Sequence, residues 1–234
     1  MLKKISYMTA GESHGKGLIG IIEGIPAGMN ISEEYIEKDL LRRMQGHGRG
    51  GRMKIEKDHA EIFSGVRHAV TLGSPISLLI KNFDWVNWED RMATGKPKKE
   101  HRKVSMPRPG HADLAGVMKY GLDDIRNVLE RSSARETAMR VAIGAVCRKL
   151  LEEVGITVGS RVYQIHNIVD NTPVSNDMGL KELNDTVDAS PVRCFDKDAE
   201  KKMMDVIDEA RNNGDSVGGS FEVIAKGLPY GLGT

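Results

Sequence analysis

An internal repeat constrains the fold of this chain more than any other feature of its sequence. Residues 214–231, GDSVGGSFEVIAKGLPYG, align without gaps on residues 11–28, GESHGKGLIGIIEGIPAG. The identical positions, numbered in the first copy, are Gly11, Ser13, Gly15, Ile21, Gly24, Pro26 and Gly28. Self-similarity at such long range predicts two related halves about a pseudo-two-fold axis, each opening with the same turn and strand. Chance similarity between glycine-rich turns is the alternative.

The repeat also distinguishes residues that shape the turn from a residue that is a candidate for chemistry. His14 in the first copy corresponds to Val217 in the second, so the glycine frame forms without a histidine and His14 is a candidate for chemistry. Because the chain reaches Thr234 soon after the second copy begins, we expect one truncated domain over residues 1–234. Its first repeat would cover about 1–213, and residues 214–234 would begin an incomplete second half.

Charge and cysteine content exclude several classes of protein. Lys and Arg total 34 against 33 Asp and Glu, and a net charge of +1 provides no global field for nucleic acid or a membrane. Cys147 and Cys194 form no CxxC pair, and no histidine shows metal-ligand spacing, so neither a disulfide framework nor a metal site is indicated. The N-terminus lacks a signal-peptide pattern, which favours a cytoplasmic protein.

Hydrophobic periodicity and capping residues predict alternating strands and helices. The predicted strands cover residues 5–9, 18–25, 60–66, 74–80 and 156–168, and the predicted helices cover 32–46, 113–129, 134–154 and 196–213. Ser133 and Glu136 form a capping-box pattern, and Asp196 is the predicted cap of the last helix. Small residues, among them Ala138, Ala142 and Ala145, predict a closely packed face on the helix over 134–154. Residues 82–110 lack periodicity and predict a long, lid-like loop. A G-x-G-x-x-G match at residues 15–20 is rejected as a dinucleotide motif, because a strand rather than a helix follows it.

Arginines among glycines are the strongest local signal of binding. Arg42 and Arg43 precede a loop that contains Arg49 and Arg52 with four glycines. Glycines let backbone amides approach an anion, and guanidinium groups match carboxylate or phosphate oxygens. The segment predicts a site for a small, highly charged anion. A solvated basic loop and an RNA-binding loop are the alternatives, although few aromatic residues are available for stacking.

A second basic cluster stands at a predicted helix N-terminus. Arg131 and Arg135 flank Ser132 and Ser133. Free backbone amides, the helix dipole and two hydroxyls favour phosphate binding there, while Ser133 as an ordinary helix cap is the alternative.

Two histidines lie in glycine-bounded turns beside polar partners. His14 follows Glu12 and Ser13, and His111 precedes Asp113. An imidazole titrates near neutrality and can deliver a proton to a leaving group. The remaining histidines are interpreted as polar surface; they are His47, His59, His68, His101 and His166.

Three blocks make the chain resemble the chorismate synthase family: GESHG at 11–15, RPGHADL at 108–114 and RSSAR at 131–135. RRMQGHGRGGRMKIEKD and SGVRH resemble further family blocks, and the resemblance extends from Thr9 to Gly233. It implies an α+β fold, a β-α-β sandwich with central helices between two mainly antiparallel sheets, and a homotetramer. It also implies a lyase that removes phosphate from 5-enolpyruvylshikimate 3-phosphate by 1,4-anti elimination, giving chorismate, with reduced FMN as cofactor and NADPH as a candidate reductant.

The resemblance also assigns roles to individual residues. His14 and His111 are implied to be catalytic, the first at the leaving phosphate and the second near the flavin. The implied substrate ligands are Ser13, Arg43, Arg49, Arg52, Arg108 and Arg135, and the implied FMN contacts are Arg131, Ser132 and Ser133. The family's C-terminal aspartate and further FMN contacts have no counterpart in this sequence, which predicts an inactive fragment. A nucleic-acid-binding module and a non-catalytic remnant of the fold are the other two hypotheses.

Overall fold

A computed structural model describes residues 4–50 and 55–232 of the chain. The fold divides into two compact units, one of Met1–Leu41 with Arg52–Val146 and the other of Arg42–Gly51 with Cys147–Thr234. Helices and antiparallel sheets occur together, which confirms the predicted α+β class. None of the helices in the described ranges is long and apolar enough to cross a membrane.

The first unit is built on a four-stranded antiparallel sheet with a small two-stranded ribbon. Its strands are β1 (Ser6–Ala10), β2 (Gly17–Glu23), β3 (Glu61–Ser64), β4 (Val66–Arg67), β5 (Val70–Thr71) and β6 (Ile76–Lys81). The sheet order is β1-β2-β6-β3, and β4 pairs with β5. The helices that begin in this unit are α1 (Glu33–Met44), α2 (Asp113–Tyr120), α3 (Arg126–Leu129) and α4 (Thr137–Glu153).

Alternation along β2 decides which face of this sheet is covered. Leu18, Gly20 and Ile22 are buried, whereas the intervening Ile19 and Ile21 are exposed. A Cβ atom at Gly20 would lie 2.5 Å from the sulfur of Met139 and 2.9 Å from Ile143. Glycine therefore lets β2 approach α4 closely.

The helix boundaries follow the predicted signals in α4 but not in the segment before it. Small residues line the buried face of α4 as expected, among them Ala138, Ala142 and Ala145. The prediction of one helix over residues 113–129 was wrong, because Gly121 adopts a left-handed φ of 64° and ends α2. The backbone turns there, and α3 begins at Arg126.

The predicted capping box forms only in part. The Ser133 hydroxyl accepts a hydrogen bond from the Arg135 amide at 3.3 Å, so Ser133 caps a short 3-10 turn that leads into α4. The Glu136 carboxylate instead accepts hydrogen bonds from Thr9 Oγ1 at 2.7 Å and from Arg140 Nε at 2.8 Å. The reciprocal half of the box was therefore a wrong prediction.

The second unit contains a three-stranded antiparallel sheet and two helices. These are β7 (Thr157–Ile165), β8 (Ile168–Val169), α5 (Leu180–Asp188), α6 (Lys197–Asn212) and β9 (Gly219–Lys226), with the sheet order β8-β7-β9. Asp196 caps α6 as predicted, accepting hydrogen bonds from the amides of Asp198 and Ala199. Helix α5 was not predicted from the sequence; Leu180, Leu183 and Val187 form its buried stripe.

The two copies of the repeat have similar backbone in their strands and in the glycines that follow. Gly24 and the matching Gly227 have φ angles of 93° and 81°, and Gly28 and the matching Gly231 have 93° and 83°. Ser6 pairs with Glu23 at the end of β1-β2, and Thr157 pairs with the corresponding Lys226 at the end of β7-β9. The strand and the glycines that follow it therefore recur, but the turn before the strand differs, since Gly11 has a φ of 107° and the matching Gly214 has one of 67°. The pseudo-two-fold repeat stays a prediction.

The segment predicted as a long loop contains one short element. A 3-10 turn covers Phe83–Asn87, and residues 88–112 contain no helix or strand before α2 begins. This loop supplies Asp84 and Trp88 to the site described next.

Candidate active site

The turn between β1 and β2 carries Ser13 and His14 and has a tightly fixed backbone. Gly11 has a φ of 107°, and a Cβ atom there would lie 2.3 Å from the carbonyl oxygen of Gly17. The Asn82 side chain donates hydrogen bonds to the carbonyl oxygens of Glu12 at 3.0 Å and Gly15 at 2.8 Å. Glycine and a buried amide thus give the turn one shape.

Glu130, which follows α3, holds both Ser13 and His14 of the turn. Its main-chain oxygen accepts a hydrogen bond from the Ser13 amide at 2.9 Å. Its carboxylate accepts one from the His14 amide at 2.8 Å and lies 2.9 and 3.0 Å from His14 Nδ1. The Glu130 side chain is only 1% exposed, so this contact is shielded from water.

The His14 ring is also fixed from its face and from its outer edge. Trp88 stacks on it with ring centroids 4.0 Å apart and planes inclined by 27°. Nε2 of His14 lies 4.0 Å from Asp84 Oδ2, and the same oxygen accepts a hydrogen bond from Trp88 Nε1 at 3.0 Å. The His14 side chain keeps 21% of its surface exposed, so the ring can reach a ligand.

Arg126 links the carboxylate to the aromatic ring. Its Nη1 donates to Glu130 Oε1 at 3.1 Å, and its Cζ lies 5.1 Å from the centroid of the Trp88 ring. A buried carboxylate needs a nearby positive charge and hydrogen bonds to offset its desolvation, and Arg126 supplies both.

Arg135 lies within a buried network of polar groups in the same unit. Its Nε donates to Asn82 Oδ1 at 2.9 Å, and Nη1 bonds the carboxylate of Asp58. Nη2 lies 3.5 Å from Glu56 Oε2, whose carboxylate also accepts the Phe83 amide at 2.9 Å. Arg135 therefore supports Asn82, which in turn shapes the Ser13–His14 turn.

The three residues predicted to contact FMN, Arg131, Ser132 and Ser133, follow one another in the first unit. Arg131 Nη2 donates to the Thr9 carbonyl at 2.9 Å and to Thr9 Oγ1 at 2.8 Å, while its buried Nη1 has no hydrogen-bond partner within the described ranges. The exposed Ser132 donates its hydroxyl to the Val128 carbonyl at 3.0 Å. The Ser133 hydroxyl lies 3.0 Å from that of Ser13.

Arg108 and His111 lie on the turn that precedes α2. Arg108 forms a two-pronged ion pair with the buried Asp113, at 2.8 Å and 2.9 Å. This guanidinium lowers the pKa of Asp113 to about 2, against the opposing effect of burial. His111 is exposed, and its amide donates to the Arg108 carbonyl at 3.4 Å.

Two of the arginines predicted to bind the anion, Arg43 and Arg49, belong to the second unit. Arg43 is half-buried at the end of α1, and the exposed Arg49 donates its Nε to the Gln45 carbonyl at 2.9 Å. Arg49 lines a cavity of about 310 Å³ together with Arg42 and Arg193. Arg52 lies outside the described residues.

Several residues of this site were not predicted from the sequence. Glu130 stands immediately before RSSAR, and its position beside a candidate phosphate site was the signal that could have identified it. Trp88, Asn82 and Asp58 gave no comparable signal, because each acts only through contacts made across long sequence separations. Within the described ranges, no group of three or more histidines, cysteines or carboxylates could hold a metal ion.

Comparisons with known proteins agree on one family. The family model for chorismate synthase matches residues 5–234. Curated chorismate synthases from Listeria welshimeri and Geobacillus sp. are each 53% identical over 97% of this chain, and that from Syntrophomonas wolfei is 54% identical over 98%. The chain spans 58–59% of the length of these relatives.

A solved structure supports the same assignment. A crystal structure of chorismate synthase aligns with a TM-score of 0.76 and 41% identity, covering 98% of this chain and 60% of the other. Family blocks, backbone fold and sequence identity thus agree over almost every residue. The chain belongs to the chorismate synthase family.

Proposed function

We propose that the protein acts as a chorismate synthase, removing phosphate from 5-enolpyruvylshikimate 3-phosphate by 1,4-anti elimination to give chorismate. The observation that carries the proposal is the family match over residues 5–234. The site geometry adds a histidine that is held rigidly by Glu130 and Trp88 yet remains accessible.

His14 is the proposed proton donor of this reaction. When the C–O bond to the leaving phosphate breaks, its electron pair stays on the phosphate oxygen and negative charge increases there. A proton delivered by a fixed imidazolium stabilises that charge more than it stabilises the intact substrate. Ser13, on the same turn, is the proposed hydrogen-bond partner of the substrate.

The proposed substrate ligands are guanidinium groups, because the substrate carries two carboxylates and a phosphate; they are Arg43, Arg49, Arg52, Arg108 and Arg135. Arg108 and Arg135 are already paired with Asp113 and Asp58. Binding a substrate anion through either arginine therefore requires it to share or exchange that carboxylate partner.

The residues proposed for FMN suit an anionic, hydrogen-bond-accepting cofactor. Arg131 has a guanidinium nitrogen without a hydrogen-bond partner within the described ranges, and Ser132 has an exposed hydroxyl. We place reduced FMN against Arg131, Ser132 and Ser133, with His111 nearby. When bound, reduced FMN supplies electron density transiently to the substrate without net oxidation.

The remaining parts of the proposal concern the whole protein. We propose a β-α-β sandwich with central helices and a pseudo-two-fold repeat, assembled as a homotetramer in the cytoplasm. NADPH is the proposed reductant of the flavin. The matching strand ends and glycine φ angles in the two copies support the repeat.

Substrate binding to this chain tests the proposal directly. Trp88 stacks on His14, so titration with 5-enolpyruvylshikimate 3-phosphate should change tryptophan fluorescence saturably. His14→Ala should weaken binding on the order of 10-fold, since a hydrogen bond to a charged group is lost. The matched control His59→Ala removes an exposed histidine that pairs with Glu33 and should leave affinity unchanged.

Two outcomes would contradict this proposal. One is the absence of saturable binding of the substrate; the other is equal loss of affinity in both variants. RNA binding that weakens steeply with salt, without any response to the substrate, would instead favour a nucleic-acid-binding module.

A further inference from the structure

We propose that Glu130 is the positioning residue of His14, fixing the neutral imidazole with its proton on Nδ1 and making Nε2 the atom that exchanges protons with a ligand. The assignment of the tautomer stands on geometry alone. Its use in removing phosphate rests on the function proposed above.

The tautomer follows from the hydrogen-bonding capacity of a carboxylate. An ionised carboxylate only accepts hydrogen bonds, and both oxygens of Glu130 lie within 3.0 Å of His14 Nδ1. Nδ1 must therefore carry the hydrogen in this contact. In the neutral ring the lone pair then lies on Nε2, the nitrogen on the Asp84 side.

The same carboxylate also prevents the ring from changing its orientation. It accepts the His14 amide at 2.8 Å, so backbone and ring are held by one group. Turning the ring over by 180° would replace Nδ1 with a carbon at the buried Glu130 carboxylate and lose that hydrogen bond, while the ring plane against Trp88 would stay the same. The lost hydrogen bond favours one orientation of the imidazole.

Arg126 keeps Glu130 suited to this role. The glutamate side chain is 1% exposed, and the Arg126 side chain beside it is 17% exposed. A carboxylate in such a place is stable when a cation and hydrogen bonds surround it, and here Arg126 and the two N–H groups of His14 do so.

In the proposed reaction, His14 transfers the proton of Nε2 to the leaving phosphate. In the imidazolium both nitrogens carry hydrogen, and Nδ1–H stays on Glu130. The Nε2–H bond breaks, the proton joins an oxygen of the leaving phosphate, and the electron pair of that bond remains on Nε2. The ring returns to the neutral form that Glu130 already favours, so no rearrangement of the ring is needed.

Long-range ¹H–¹⁵N NMR spectra of the ¹⁵N-histidine-labelled chain test the assignment without substrate or turnover. Above the pH at which the ring deprotonates, His14 should show a pyrrole-type Nδ1 and a pyridine-type Nε2. The reverse pattern, or a rapid average of both tautomers, would overturn the proposal. This measurement on the unsubstituted chain decides the point even if every variant at position 130 misfolds.

Glu130→Gln provides the second arm, because glutamine has the same shape but can present an NH₂ group to the ring. We expect the Nδ1–H population of His14 to fall at least several-fold. Glu33→Gln is the matched control: it alters the carboxylate that pairs with His59 at 3.1 Å and should leave His14 unchanged. An unchanged His14 tautomer in a folded Glu130→Gln chain would contradict the positioning role.

The two proposals fail separately. If the tautomer is as assigned and the substrate does not bind, the lyase function is wrong while the role of Glu130 in holding His14 remains. If the substrate binds through His14 but the tautomer is reversed, the function survives and the positioning role is wrong.

Discussion

The two glycine turns of the repeat, residues 11–16 and 214–219, differ in backbone and in surroundings, since Gly11 has a φ of 107° and the matching Gly214 has one of 67°. In the first copy, Ser13 and His14 are held by Glu130. In the second copy, Ser216 donates its amide to the neighbouring Asp215, and the turn is largely exposed. The same glycines thus occur in two turns of different shape, and in the first turn residues distant in the chain hold Ser13 and His14 in place.

The strands that follow these turns differ in a second way. Leu18 and Gly20 of β2 are buried, but the matching Phe221 and Val223 of β9 are 71% and 60% exposed. In β9 it is the alternate Ile224 that packs against the helix α5 cluster. The two matching strands therefore bury opposite faces, because β2 packs against α4 through Gly20 and β9 packs against α5 through Ile224.

The largest predicted effect comes from replacing the glycine that follows the repeated strand, Gly24 after β2 and Gly227 after β9. A Cβ atom at Gly24 would lie 1.7 Å from the carbonyl oxygen of Lys4, and one at Gly227 would lie 2.2 Å from the carbonyl oxygen of Gly155. Gly24→Ala and Gly227→Ala should each lower the free energy of unfolding by about 3 kcal/mol or more, since a left-handed φ and a backbone clash combine.

The matched controls for these variants are Gly28→Ala and Gly231→Ala. Both positions have positive φ, but a Cβ atom at either would have no neighbour within 4 Å. We expect a loss of about 1 kcal/mol from backbone strain alone. Equal destabilisation of all four variants in urea titrations would show that close approach does not matter.

An exchange of residues between the two strands should give the next largest effect. Gly20→Val introduces a side chain against Met139 and Ile143 and should destabilise the chain by about 2 kcal/mol through overpacking. The reverse change, Val223→Gly, acts at an exposed position and should cost only about 0.5 kcal/mol. Urea denaturation of both variants measures the difference, and similar losses would contradict the assignment of buried faces.

The smallest effect concerns two buried aspartates, one in each unit. The pKa of Asp113 is lowered to about 2 from 3.8, chiefly by its hydrogen bonds with Arg108. Burial acts to raise the pKa of Asp170, but hydrogen bonds from Thr172, Phe195 and Asp196 outweigh it, and the pKa is lowered. Each ionised group therefore stabilises the fold above pH 3.8, and the contribution is lost as the pH falls through its lowered pKa.

Salt should distinguish these two aspartates. Arg108 is 36% exposed, so 1 M NaCl should screen its pair and move the pKa of Asp113 towards 3.8. Asp170 is held by hydrogen bonds from Thr172, Phe195 and Asp196, and the cation nearest to it, Arg161 at 3.9 Å, is only 9% exposed, so its pKa should respond less. Carboxyl ¹³C titrations at low and high salt check this, and equal shifts would contradict the assigned causes.

Local patterns predicted much of this fold. Asp196 capped α6 as expected, and the small residues of α4 formed its buried face. The break at Gly121 was missed because the apolar periodicity continued across a left-handed residue. Helix α5 was missed although Leu180, Leu183 and Val187 have the i, i+3, i+7 spacing that predicts an amphipathic helix.

The sequence by itself determined where the repeated residues lie and that His14 stands where the second copy has Val217, because residue type is a local property. Only the tertiary structure decided that Glu130 and Trp88 hold the imidazole, and that Arg135 is buried beside Asp58. These contacts join residues far apart in the chain, and a hydrogen bond or a stack exists only after folding has brought its partners together.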